Sequence, residues 1–342
     1  MPQLTLDAVE DLARRVLRGA GASDLQAGAT ARSIREAEAD GIRNVGLGYL
    51  PTYADHVLCG KVVGHAVPEM FRPRPAVVAV NARNGFAHPA FEAGRAALVA
   101  STRECGIGVL SVSHSYSAGV VGWFVEQLAG DGLVSLMFAN SSSLMAPWGG
   151  RNPFFGTNPM AWAVPRTGHA PLVADMSSSA VAWVNVNEAA ANGRPIPLGW
   201  ALDASGNPTT DAHEALAGTM APSGGHKGSA LALLIDLFAG GLTGSNFSHE
   251  ASSFGGTIGG PPNVGQLIIA IDPGATIGSG FADRVETELT AMTSEDGVRL
   301  PGAKRVEHRV ASERDGVDVP ADLLATLEAY AQDGSSVQQI PQ

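Results

Sequence analysis

The chain has 342 residues, 45% of them hydrophobic, which is enough for a large core and, by length, for two or three lobes. A formal net charge of −11, with only the lysines Lys61, Lys227 and Lys304, argues against a nucleic-acid or membrane partner. The cysteines, Cys59 and Cys105, supply neither a disulfide framework nor metal-ligand spacing.

Residues 5–18 place Leu6, Val9, Leu12, Ala13, Val16 and Leu17 at helical spacing, with Asp7 and Glu10 in the first turn and Gly19 and Gly21 ending the run. Ser23-Asp24-Leu25-Gln26 has the form of a capping box and starts a second helix that ends near Gly41. An irregular stretch, Gly41 to Gly48, precedes a third helix from Tyr49 to Leu58. His56 and His65, at and beyond its end, are expected at the surface. From Ala76 the texture changes to α/β: a strand at 76–80, a helix at 89–105, a strand at 106–112, a helix at 119–130 and a strand at 133–138. Residues 139–160 form a loop rich in Ser, Pro and Gly. Short strands at 161–164 and 172–174 follow, then a long apolar helix at 228–240, a Gly/Ser loop at 245–263 and a strand at 266–271. Helices at 282–292 and 320–331 close the chain, and Gly334 to Gln342 reads as a frayed tail.

Met1-Pro2-Gln3-Leu4 lacks a basic region followed by an apolar one. The longest apolar stretch, Ser229 to Leu242, is broken by Asp236 and is too short to span a bilayer. The expectation is a cytoplasmic protein. No G-x-G-x-x-G follows a strand, no G-x-x-x-x-G-K-[ST] occurs and there is no G-x-S-x-G elbow. The nine histidines form no H-E-x-x-H and no carboxylate-rich cluster, so no metal site is expected.

Several polar loops occur in a definite order: NSSSLMAPWGGRNPFFGTNPMAWAVP (140–165), PLVADMSSSAVA (171–182), PLGWALDASGNPTTD (197–211) and GGHKGSALALLIDLFAGGLTG (224–244). Together with the ending LPGAKRVEHR…GVDVP, this series resembles the malate/L-lactate dehydrogenase superfamily, whose cofactor fold is not a Rossmann fold. The resemblance runs from residue 5 to about 332. It implies an α/β protein in which a large mixed sheet, residues 76–299, binds NADH or NADPH. A helical lobe is built from both chain ends, 1–75 with 300–342 returning to it. It also implies a homodimer acting on a small-molecule substrate. The residues match that role. Thr157 and Asn158 sit beside a strand end, Asp175, Ser177, Ser178 and Ser179 follow another, and His226, Lys227 and Gly228 open a helix whose free N–H groups attract phosphate. Ser117 and Gly119, in a strand-to-helix turn, complete the expected cofactor contacts.

The chain departs from the family at its chemistry. Where the family reads S-H-G-x-x-R-L-P-x-Y, this chain has Asn44, Val45 and Tyr49 in the first, second and sixth places, and keeps Tyr53. The family's N-S-N-H-F-G becomes His114-Ser115-Tyr116-Ser117-Ala118-Gly119, so Ser117 takes the histidine position and His114 lies three residues earlier. A histidine acid contributes about 10²–10⁴-fold, and an arginine fork anchors a carboxylate. Without them, ordinary 2-hydroxy-acid chemistry is not expected. Three readings follow. One is reduction of a C=N group, where an iminium arrives protonated and Ser117, Tyr53 and Tyr116 orient it. The second is C=O chemistry with His114 or Tyr53 moving the proton. The third is a non-redox enzyme or binding protein on the same fold. Asn44, Val45, Tyr49 and Tyr116 are the expected substrate contacts. Trp123 is read as core, and His88 is left outside the site.

Overall fold

A computed structural model of the chain describes residues 1–333, and the segment read as a frayed tail lies outside the described residues. β1 (Gln3–Leu4) leads into α1 (Leu6–Gly19), capped by the Thr5 hydroxyl, which accepts from the Ala8 N–H at 3.2 Å. The apolar stripe of α1 is buried along its whole length. α2 (Asp24–Ala39) is capped by Ser23, which accepts from the Gln26 N–H at 3.4 Å. The reciprocal half of the expected capping box is missing. The Gln26 side chain instead donates to the Ala66 carbonyl and accepts from the Phe86 N–H, each at 2.8 Å. Gln26 is fully buried, and these two distant backbone groups have no solvent to turn to, so the amide serves them first. Two single 3₁₀ turns, Arg43–Val45 and Leu47–Tyr49, lead into α3 (Leu50–Leu58).

β2 (Glu69–Arg74) and β3 (Val77–Asn81) pair antiparallel at the sheet edge. α4 (Ala87–Cys105), β4 (Ile107–Ser115), α5 (Val121–Gly130) and β5 (Val134–Ala139) follow the alternation read from the sequence. A Cβ at Gly94 would lie 2.7 Å from Leu110 Cδ1, so this glycine lets α4 rest directly on β4. β6 (Met160–Val164) and β7 (Leu172–Met176) extend the sheet. α6 (Trp183–Ala191), β8 (Ala201–Leu202), β9 (Pro208–Thr209), α7 (Ala212–Ala217) and β10 (Thr219–Met220) form a satellite with its own apolar cluster around Phe155, Val186 and Met220. α8 (His226–Asp236) runs into a π-type turn, Leu237–Gly241. β11 (Val264–Ile271) and α9 (Phe281–Met292) come next. The large sheet has seven strands in the order β2-β3-β4-β11-β5-β6-β7. β3 and β4 are parallel, whereas β11 is antiparallel to both β4 and β5, with Ile268 between Leu110 and Met137. The sheet is therefore mixed, and β11 separates two strands adjacent in sequence order.

α10 (Ala303–Asp315), β12 (Val317–Asp318) and α11 (Ala321–Asp333) bring the chain back to its start, where β12 pairs with β1. Val317, Val319, Leu327 and Tyr330 join α1, α2 and α3 in one apolar core. α10 buries no residue and has no apolar stripe, so the sequence reading passed over it. Ion pairs hold it. Arg305 donates to Asp40 Oδ2 at 2.9 and 2.5 Å, and Arg309 donates to Asp40 Oδ1 at 2.9 Å and to the Glu126 carboxylate at 2.7 and 2.9 Å. Among the described residues, no helix is long and apolar enough to cross a membrane, and no group of His, Cys, Asp or Glu could hold a metal.

Candidate active site

The end of β4 shapes the site. Val264 pairs with Ser115 and Gln266 with Val112, so Ser113 and His114 together oppose Gly265 in a bulge. His114 takes φ +52°, donates its N–H to Ser245 Oγ at 3.0 Å and accepts from the Asn84 N–H at 2.6 Å. The bulge re-aims the chain, and Tyr116 enters the core of the helical lobe. Its ring meets Tyr53, Phe86 and Phe254 edge-on, with centroids 5.9, 5.6 and 5.2 Å away. Tyr116 is 0% exposed and Tyr53 2%. Burial raises the pKa of both phenols, so both are neutral at physiological pH.

Tyr49, Tyr53 and His56 recur at i, i+4 and i+7 along one face of the α3 segment. His56 is 1% exposed, which corrects the expectation that it lies at the surface; His65 is exposed. The periodicity that places Tyr53 inside places His56 there too, and that signal was available in the sequence. His56 Nδ1 lies 2.5 Å from the Tyr116 hydroxyl, and Nε2 lies 3.1 Å from the Gly256 carbonyl. A carbonyl only accepts, so Nε2 carries the proton and Nδ1 accepts from Tyr116 O–H. Burial, then the charge of Lys61, lowers the His56 pKa and keeps the ring neutral. The 253–256 loop closes over this group. Buried Lys61 donates to the Ser253 carbonyl, and the Tyr49 hydroxyl to that of Phe254 at 3.4 Å.

The segment from Asn44 to Tyr49 runs between the sheet core and the helical core. Asn44 is exposed, Val45 packs on the sheet core and Tyr49 on the helical core. Buried Glu38 holds this segment, accepting from the Leu47 N–H at 2.7 Å, and burial raises its pKa. Ser117 is half-buried and accepts from the Gly119 N–H at 3.3 Å. Gly119 has φ +61°, and a Cβ there would lie 3.0 Å from the Tyr53 hydroxyl. The Tyr53 hydroxyl therefore meets the Ser117–Gly119 turn, with the Tyr49 ring edge-on to Tyr53 at 4.9 Å and Tyr116 next to Ser117 in the chain. His114 has no hydrogen bond or ring contact with this group, and its Nδ1 is buried without a partner. Trp123 and His88 lie in the sheet core, ring centroids 5.4 Å apart, and burial pushes His88 down to about 3. Trp123 and Tyr116 thus sit in different cores.

The cofactor candidates are stitched together by backbone. Ser178 Oγ donates to the Thr157 and Asn158 carbonyls at 2.8 and 2.9 Å, and the Ser223 N–H donates to the Ser178 carbonyl at 2.9 Å. Ser177 and Ser179 hydroxyls are 3.0 Å apart. Asn158 is fully buried, its amide spent on Ala232, Ser141 and Ser248, so it shapes the floor and offers no free group. Asp175 is exposed as a residue, but its carboxylate is tucked against the start of α5 and accepts from the Gly122 N–H at 2.7 Å. His226 and Lys227 are exposed at the start of α8, where first-turn amides have no intrahelical acceptor. Glycine turns for close backbone approach, hydroxyls and a cationic helix start fit an anionic dinucleotide.

Such a site belongs to an NAD(P)-dependent oxidoreductase. The malate/L-lactate dehydrogenase model matches residues 4–328, and the chain belongs to that family. It is 43% identical over 329 residues to a (2R)-3-sulfolactate dehydrogenase (NADP(+)) from Chromohalobacter salexigens, covering 96% of this chain and 98% of that one. It is 40% identical over 337 residues to a Delta(1)-pyrroline-2-carboxylate reductase from Ancylobacter novellus, covering 97% and 98%. The crystal structure of delta1-piperideine-2-carboxylate reductase from Pseudomonas syringae superposes with a TM-score of 0.92 at 36% identity, covering 96% of this chain and all of that one. The protein is therefore an NAD(P)-dependent oxidoreductase of this family.

Proposed function

We propose that the protein reduces a cyclic imine, bound between the helical lobe (1–75 and the returning chain end) and the sheet lobe (76–299). The observation that carries this is the neutrality of the reacting turn. Tyr49, Tyr53 and Ser117 offer hydroxyls, and no guanidinium or charged imidazole stands at the family's arginine and histidine positions. An iminium brings its own proton, so hydride addition to carbon yields the amine with no acid required. When bound, the nicotinamide supplies that hydride. Tyr53 and Ser117 orient the imine, and Val45 and Tyr49 exclude water from it. Thr157, Ser177 and Ser179 line the cofactor path, and Lys227 with the α8 amides meets phosphate. NADPH is the first cofactor to test, because the sulfolactate relative is named for NADP(+). Exposed free Cys59 and Cys105 fit a reducing, cytoplasmic setting.

Steady-state assays with NADPH and NADH test the reading on 1-pyrroline, pyrroline-2-carboxylate and a panel of 2-oxo acids. Imines are expected to be turned over with the highest kcat/KM. With no arginine anchor, the 2-carboxylate is expected to matter by less than about tenfold, or ~1.4 kcal/mol. Turnover of 2-oxo acids alone would sink the proposal.

We also propose a homodimer. Leu233, Leu234, Leu237 and Leu242 form an exposed apolar face along α8 and the turn after it. Leu234→Glu with Leu237→Glu is expected to shift the mass measured by light scattering from dimer to monomer. A dimer unchanged by both substitutions places the contact elsewhere.

A further inference from the structure

We propose that the 253–256 loop is a strap across the substrate cleft, and that Tyr49, His56 and Lys61 are the positioning residues that fasten it. That the strap bounds a substrate cleft rests on the reading above; the fastening itself stands on hydrogen bonds. Residues 252–260 read S-S-F-G-G-T-I-G-G, with four glycines and Phe254 as the one ring. Such a stretch has the backbone freedom to sit in many places, so its position is set by what grips it. Ser252 Oγ donates to the Gly260 carbonyl at 2.7 Å and closes the base, which leaves the residues between them as a finger ahead of β11.

Three side chains from one stretch of the helical lobe donate to three carbonyls of this finger. Lys61 Nζ donates to Ser253, the Tyr49 hydroxyl to Phe254 at 3.4 Å and His56 Nε2 to Gly256 at 3.1 Å. The Phe254 ring adds its edge-on contact with Tyr116 at 5.2 Å, and Tyr116 precedes Ser117 in the chain. The finger is held from the other side as well. The Phe254 N–H donates to Ser142 Oγ at 3.4 Å, and the neighbouring Ser141 donates its N–H to Asn158 Oδ1 at 3.3 Å. One short segment is therefore bonded both to the helical core and to the loops on the cofactor side. A segment held from both sides closes the gap between them.

Lys61 makes the strongest of these bonds. It is buried, and among the described residues no carboxylate pairs with it. The Ser253 carbonyl is the protein acceptor its ammonium meets, and a charged donor binds such an acceptor more strongly than a neutral one. Tyr49 and His56 add neutral bonds on either side of it. The Tyr49 hydroxyl is thereby spent on the strap and is not held free for a substrate carboxylate. That agrees with the small part expected of the 2-carboxylate in turnover.

The test uses the full-length protein with Tyr49→Phe, Lys61→Ala, Lys61→Gln and the double variant Tyr49→Phe with Lys61→Ala. Amide hydrogen exchange, read by mass spectrometry, follows peptides covering 251–260, with α1 as the control. Tyr49→Phe and Lys61→Ala are each expected to speed exchange in 251–260 by about tenfold, and the double variant by more, while α1 keeps its wild-type rate. Lys61→Gln retains a donor for the Ser253 carbonyl and is expected to stay near wild type. On 1-pyrroline, the two alanine-bearing variants are expected to raise KM by about tenfold with kcat within about threefold of wild type, and NADPH to keep its affinity. Exchange in 251–260 that none of the variants changes overturns the strap. So does an acceleration shared equally by α1, which would mean general loosening, or a faster loop with an unmoved KM. The exchange arm needs no substrate, so failure of every imine in the panel counts against the proposed function and leaves exchange to decide the fastening.

Discussion

Asp236→Ala is expected to lower the free energy of unfolding by about 3–5 kcal/mol, read from chemical denaturation. Asp236 ends α8 and is buried. Its Oδ1 accepts from Asn140 Nδ2 at 3.0 Å, from the Ser248 N–H at 3.0 Å and from the Ser248 hydroxyl at 2.8 Å. Alanine strips an acceptor from three donors that have no water to replace it, and each orphan costs about 1–3 kcal/mol. The loss spreads, because Asn140 also accepts from the Gly265 N–H at 3.1 Å and Ser248 lies 3.0 Å from Asn158. Asp236 thus ties β11, the loop that carries Phe254 and Gly256, and the floor beneath the cofactor loops. Asp236→Asn retains an acceptor oxygen and is expected to lose less. A loss under about 1 kcal/mol for the alanine variant would show that the network is not the clamp described.

Gly228→Val is expected to raise the dissociation constant for NADPH by about 100-fold or more, measured by nicotinamide fluorescence. A Cβ at Gly228 overlaps the Ser223 carbonyl oxygen and comes within 2.8 Å of the Ser223 nitrogen. Ser223 cannot retreat freely, since its N–H is bonded to Ser178, which is bonded to Thr157. The start of α8 must therefore move away from the loops it faces. Two charge-assisted hydrogen bonds to phosphate, at about 1.5–3 kcal/mol each, are then lost or weakened, and each 1.4 kcal/mol is tenfold in affinity. Gly224 provides the control. A Cβ there meets nothing, so Gly224→Ala pays only the strain of φ +66° and is expected to bind within about tenfold of wild type. Undiminished NADPH affinity in a folded Gly228→Val protein would remove α8 from the cofactor site.

Local pattern was legible wherever one face of an element meets a core. The stripe of α1, the Ala-rich α4 and the apolar runs of β4 and β5 were read within a few residues of their observed bounds. α10 was not, because arginines bound to Asp40 and Glu126 hold it and no apolar periodicity marks it. β2, with Pro73 inside it, carries no alternating signal and survives only at the sheet edge. The satellite strands are two residues each, too short for any period to show.

By itself the sequence determined the family, the helices and strands whose apolar faces meet a core, and the loss of the family's histidine and arginine, because each is written in neighbouring residues or in loops of fixed order. Only the tertiary structure decided that β11 lies between β4 and β5, and that His56 faces Tyr116 across 60 positions of chain. Hydrogen bonds between strands and between side chains form wherever packing brings donors to acceptors, and sequence distance does not enter that condition. The spacing of His56 from Tyr49 and Tyr53 marks the face it lies on; which partner meets its ring is decided by the fold.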